Sequence, residues 1–176
     1  EGTRIFQGGP NDVAWTTDFH VTAQNELLLV YTVQKDGAGK PRGQGGLDHR
    51  FRLARWDGKQ WHDHEIAPAG TRLYPGEDDY TGLAAIDPAD PRTLFISTNV
   101  HPSTGASLPH REIFRGRTSD FASFRWTPVT ENSSADNLRP IVPIWPGPRR
   151  ALLWLRGEMR AYTDYSFEVV GLFENR

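Results

Sequence analysis

The sequence predicts an all-β protein, and three observations predict it. Glycine and proline are frequent, 17 and 13 of 176 residues, and no long stretch repeats its apolar residues with a helical period. Short apolar runs bounded by turn residues occur at 27–33 (LLLVYTV), 94–100 (LFISTNV) and 152–155 (LLWL). Runs this short suit buried strands, since a buried helix needs about ten residues or more. The third observation is that the surroundings of these runs repeat at a spacing of roughly sixty residues, within the range of repeat architectures.

Taken in order, residues 3–7 (TRIFQ) form an orphan outer strand, and the first unit follows over 8–70. Its strands are 18–23 (DFHVTA), 27–33, 51–56 (FRLARW) and 61–66, with the polar turn QNE after the first and the hairpin signal Asp57-Gly58 before the last. The second unit, 71–130, offers 81–86 (TGLAAI), 94–100, 112–117 (EIFRGR) and 124–129, with DPADPR and Ser119-Asp120 at its turns. The third, 131–176, offers 138–145 (LRPIVPIW), 152–155 and 168–173 (EVVGLF), joined through PGPRR, and lacks an outer strand.

Four antiparallel strands per unit with short turns mark the blades of a β-propeller. Such rings close with about four to eight blades, so three units predict a partial propeller whose remaining blades lie elsewhere in the polypeptide or in another chain. Identical chains joined head to tail are one version of the second case. A self-contained two-sheet sandwich with irregular repeats is the competing fold.

Other functional classes are excluded by composition. A net charge of −2, with basic residues scattered rather than striped, leaves no footprint for nucleic acid. The absence of cysteine removes disulfides and thiolate-held metals. No run reaches the roughly 18 apolar residues of a membrane-spanning helix. Nucleotide and hydrolase motifs are absent, and the glycine-rich stretch 35–46 (KDGAGKPRGQGG) lacks phosphate-loop spacing and reads as a flexible rim loop. His62 and His64 share one face of a strand, yet an outermost strand is solvated and a metal clip there is disfavoured.

In a blade, the loops entering the first strand and those joining the second to the third lie on one side of the disc. That places Asp18, His20, His49, residues 77–80, Asn99, Arg139, Arg156, Tyr162 and Tyr165 around a common hollow. Asp78 and Asp79 have a plainer role open to them, satisfying a turn backbone or holding a structural calcium. No other cofactor is expected.

Several segments resemble the C-terminal blades of bacterial BNR-repeat, sialidase-like propeller proteins. They are DHRFRLARWDGKQW (48–61), YTGLAAIDPADPRTLFIST (80–98), REIFRGRTSD (111–120), DNLRPIVP (136–143) and ALLWLRGEMRAYTDYSFEVVGL (151–172). The branch is similar to seven-bladed polysaccharide lyases acting on rhamnose- and glucuronate-containing glycans, the ulvan lyases among them. TSDFASFRW (118–126) resembles the Asp-box turn of such proteins, without the glycine after the aspartate. The resemblance implies a secreted or periplasmic glycan-active protein that cleaves a uronate-containing polysaccharide by β-elimination.

Such a reaction needs a base, a proton donor and a partner for the uronate carboxylate. The resemblance implies His20 as base and Tyr80 as acid. It makes Arg139, Asn99 and Arg156 the candidates to neutralise the carboxylate, with His49 as a second histidine on the rim. Two alternatives remain open: a glycoside hydrolase using Asp18 and Asp79, and a non-catalytic sugar-binding propeller. In the latter, Trp15, Tyr80, Tyr162 and Tyr165 are stacking platforms.

Overall fold

A computed structural model describes residues 3–10 and 12–175; residue 11 within the predicted first unit and residue 176 at the end of the predicted third lie outside them. Among the described residues there is no helix, and eleven strands build three antiparallel sheets of four, four and three strands. The first sheet is β1 (Val13–Val21), β2 (Leu27–Gln34), β3 (His49–Trp56) and β4 (Trp61–Gly70), in chain order. The second is β5 (Ala84–Ile86), β6 (Thr93–Val100), β7 (Ser107–Arg117) and β8 (Arg125–Pro128), and the third is β9 (Asp136–Ile141), β10 (Arg149–Ala161) and β11 (Asp164–Asn175). The strand counts, four, four and three, are those expected from the repeat. Residues 3–7, expected as a strand, make no ladder; Ile5 and Phe6 instead pack on Tyr31, Val33 and Ala54.

Alternation along each strand sends neighbouring side chains to opposite faces. In the second sheet, Leu94, Ile96 and Phe114 meet Leu28, Val30, Phe51 and Leu53 of the first. Phe95 and Ile113 point the other way and meet Leu152 and Trp154 of the third. The second sheet is therefore buried on both faces, with β6 almost entirely sequestered. The first strands gather: β1 lies beside β5, and β5 beside β9. Asp18 locks the first junction by accepting the Ile86 N–H at 2.8 Å, and the Arg139 N–H donates to the Gly82 carbonyl at 2.8 Å across the second.

Most polar groups buried between the second and third sheets are paired, the Arg115 Nε being an exception. Glu112 accepts from Ser133 N at 2.8 Å and from its hydroxyl at 2.7 Å, and Asn137 accepts from the Trp154 indole at 2.8 Å. At the far end Arg150, 2% exposed, donates to Asp87 at 2.6 Å and to Glu174 at 2.8 Å.

The outer hairpins follow one design. Asp57 accepts from Lys59 N at 2.8 Å and Gln60 N at 2.9 Å, and Asp120 accepts from Ala122 N at 3.0 Å and Ser123 N at 2.9 Å. Backbone hydrogen bonds, from Gln60 and Ser123 foremost, hold both carboxyls well below the usual range. In the Asp-box-like turn the left-handed position is taken by Phe121, at φ 62°, and not by a glycine.

Candidate functional site

The largest cavity lies where the three sheets meet, with a volume of about 700 Å³, inside the range of about 300–1,000 Å³ usual for ligand pockets. Each sheet supplies a wall. The first gives Trp15, Thr16 and Thr17 from β1; the loop leading into β5 gives Leu73, Tyr74, Tyr80 and Leu83. The third gives Leu138 and Arg139 from β9 and Leu155, Met159, Tyr162, Tyr165 and Phe167 from the β10–β11 hairpin. All four aromatics expected as stacking platforms line it.

Local structure explains each placement. Trp15 stands on the inner edge of its sheet, 41% exposed, and packs on Tyr80 with ring centroids 4.6 Å apart. The loop carrying Tyr80 turns at Pro75-Gly76, which returns the chain so that Leu73 N donates to the Tyr80 carbonyl at 3.0 Å. That pairing sets Tyr74 beside Tyr80. Burial pushes the Tyr74 hydroxyl upward, and Glu77, Tyr80 and Tyr162 nearby add to the shift.

The base of this loop is fixed from the second sheet. Asn99 accepts the Thr71 N–H at 3.0 Å and donates to the Thr71 hydroxyl at 3.0 Å, and the Arg111 guanidinium donates to the Thr71 and Arg72 carbonyls. Gly70, at φ 82°, is required here, since a Cβ would meet Asn99 Oδ1 at 1.9 Å. Asn99 is thus a bracket for the loop and not a uronate ligand.

The structure separates the other expected site residues. His20 lies one residue from the end of β1, about five residues and roughly 16 Å along the strand from Trp15, and does not line the cavity. The expected strand began at Asp18, whereas β1 begins at Val13, so the residue read as the gateway lies near the opposite rim. His49 is fully buried. Arg156 alternates with the cavity-lining Leu155 and pairs instead with Glu168 at 2.8 Å and Ser134 at 2.9 Å. The hydrolase pair is not assembled: Asp18 is spent on Ile86, and Asp79 lies in a separate depression with Lys40, Arg42 and Asp78.

Asp78 has the plainer role. Its carboxylate accepts Gly43 N at 2.6 Å and lies 3.5 Å from Arg72, which also donates to the Gly43 and Gly45 carbonyls at 2.6 and 2.7 Å. The glycine-rich loop is therefore clamped; Asp36 binds it from within, accepting from Gly46, Leu47 and Asp48 N–H groups. The His62 imidazole donates to the Asp57 carboxylate at 2.7 Å within its hairpin. Among the described residues no cluster of three or more His, Asp or Glu side chains is placed to hold a metal.

Buried His49 carries a pH consequence. Burial lowers its pKa below the ordinary 6.5, with Asp36 opposing and Arg111 reinforcing the shift, and Asp79 also within its field. The unfolded chain therefore binds a proton that the folded chain refuses, so stability is intact above about pH 6.5 and falls as pH drops through it. In urea titrations at pH 7.5 and 5.5, the wild type should lose up to about 1.4 kcal/mol more than His49→Phe, the ceiling when the unfolded chain takes up one proton around its pKa of about 6.5 at the middle of that interval.

Sequence reasoning missed Tyr74, Met159 and Phe167. The signal for Tyr74 was a Pro-Gly turn flanked by tyrosines at 74 and 80. Met159 and Phe167 needed the true hairpin length, 13 and 12 residues where a shorter apolar core was visible. No family model, no curated protein and no solved structure matches this chain.

Proposed function

We propose that the three sheets are consecutive blades of a larger β-propeller and that the cavity at their inner edge binds a carbohydrate chain. One observation carries the second part: Trp15, Tyr80, Tyr162 and Tyr165, from separate parts of the fold, line one hollow. Pyranose rings present apolar C–H faces that stack on aromatic rings, while their hydroxyls need a polar rim such as Thr16, Thr17 and Arg139 supply. The first part draws support from the side-by-side first strands and from the open outer face of the third sheet. There Val169 and Phe173 are 74% and 65% exposed, as a sheet expecting a further blade would leave them. The remaining blades come from the same polypeptide or from another chain.

A lyase is the second reading, favoured by one fact: Tyr80 and Arg139 share the cavity, a phenol to protonate the leaving oxygen and a guanidinium to grip a uronate carboxylate. It lacks its base, because neither histidine assigned to the site lines the hollow. No carboxylate lines it among the described residues, which counts against a hydrolase. The experiment is to incubate the chain with uronate-rich and neutral polysaccharides, measuring retention on the glycan, absorbance of a conjugated uronate and release of reducing ends. Binding gives retention alone, elimination adds both other signals, and hydrolysis adds only reducing ends. Silence in all three across the panel overturns the proposal.

A further inference from the structure

The two aromatic groups of the cavity come from different sheets. Trp15 and Tyr80 belong to β1 and the loop before β5, and Tyr162, Tyr165 and Phe167 to the far half of the β10–β11 hairpin. That hairpin outgrows its sheet. β9 pairs with β10 only from Leu153 to Gly157, and beyond it residues 158–166 continue as a two-stranded arm without a third strand.

Gly157 marks the departure. Its φ is 152°, and a Cβ there would meet the Ser166 carbonyl oxygen at 2.0 Å, so the two strands approach more closely than any other residue permits. Past this point Arg160 ties the arm across to Asp164 at 2.8 Å and pairs along its own strand with Glu158 at 2.7 Å. Tyr165 and Phe167 stack at 5.8 Å, with their rings inclined by 20°. The arm brings its aromatics to the cavity without burying them: Tyr162 is 77% exposed and Tyr165 60%. Folding gains little from large apolar rings left so open, whereas a ligand covered by them would.

We infer that this arm is a clasp, holding a pyranose ring on its second face while Trp15 and Tyr80 hold the first. It rests on the carbohydrate assignment above and narrows the ligand class. A ring gripped on both faces must be apolar on both, which selects gluco-configured units, whose equatorial hydroxyls leave axial C–H groups above and below. An axial hydroxyl, as at C2 of a manno-configured unit, would press an oxygen against an aromatic face with no partner.

Calorimetric titration of the full chain with cellohexaose and with β-1,4-mannohexaose tests this. The wild type should bind cellohexaose at least about tenfold more tightly, and Tyr162→Ala and Tyr165→Ala should each weaken cellohexaose about tenfold. Both side chains are open, so thermal midpoints should not move, which separates lost contacts from lost folding. Unchanged affinity in both arm variants, with affinity lost in Trp15→Ala, overturns the clasp while leaving the cavity a sugar site. Equal affinity for the two hexaoses, or none for either, overturns the two-face selection. Only a blank across the whole polysaccharide panel would overturn the assignment beneath it.

Discussion

Arg150→Ala should lower the unfolding free energy by about 3–5 kcal/mol, the cost of stripping one partner from a buried ion pair. Arg150 and Asp87 are 2% and 0% exposed in their side chains, and the guanidinium also reaches Glu174. Arg115 shares Glu174, and both guanidinium groups lie over the Phe95 ring, at 5.5 and 5.6 Å from its centroid. The cluster therefore joins the β5–β6 turn, β7 and both strands of the third hairpin. Removing Arg150 takes the guanidinium from the buried Asp87 carboxyl, which keeps the Ala89 N–H at 3.0 Å, and loosens the third sheet from the second. In urea the midpoint should fall with an unchanged slope, and thermal unfolding should drop by about 10 °C for a chain of this size. Arg150→Lys should recover only part of the loss, since a single ammonium cannot fork between two carboxylates. Wild-type stability in Arg150→Ala would mean that the third sheet is held by its apolar contacts alone.

Trp15→Ala should weaken glycan retention about thirtyfold, the loss typical of removing a central aromatic anchor, with stability little changed because the ring stands on an exposed inner edge. Tyr80→Phe separates the two readings of the cavity. The ring that packs on Trp15 survives, so binding should persist; if the hydroxyl delivers a proton to a leaving oxygen, turnover disappears while retention remains. His20→Ala should leave both unchanged, because that imidazole stands near the far end of β1. A drop in retention for His20→Ala with none for Trp15→Ala would move the site to the opposite rim.

The strands were legible because each carries its own local signal: an apolar run, a turn residue, a second run. Asp57-Gly58 and the DPADPR turn announce hairpins in the chain itself, and β2, β3 and β6 fall where those signals put them, while β7 starts at Ser107, five residues before the expected 112. Ends were harder. Val13–Val21 opens on Val13, Ala14 and Trp15, apolar but exposed, and slips register between Thr16 and Asp18, so its first half shows no alternation of buried and open positions. That one boundary error carried His20 from the far rim to the mouth, since side chains at the two ends of a strand serve opposite ends of the sheet. β10 and β11 were likewise expected too short, because their arm continues past the apolar core that announced them.

The candidate site was legible by residue type more than by role. Tyr80, Arg139, Tyr162, Trp15 and Tyr165 reach the cavity because the gateway loops all open on one side, a consequence of strand order alone. Asn99 and His49 lie in gateway segments too, but one brackets a glycine turn and the other is sealed beneath a clamped loop. Whether a polar side chain in such a loop faces the ligand or the backbone depends on hydrogen bonds to residues tens of positions away, and composition carries no trace of those.

The most direct measurement is a crystal structure of the chain grown with the oligosaccharide that it retains best. A pyranose ring should lie within about 4 Å of the Trp15 and Tyr80 rings, with Arg139 at its polar edge. A sugar ordered elsewhere, such as in the depression beside Asp79, with the aromatic hollow unengaged, would contradict the assignment of this cavity as the carbohydrate site.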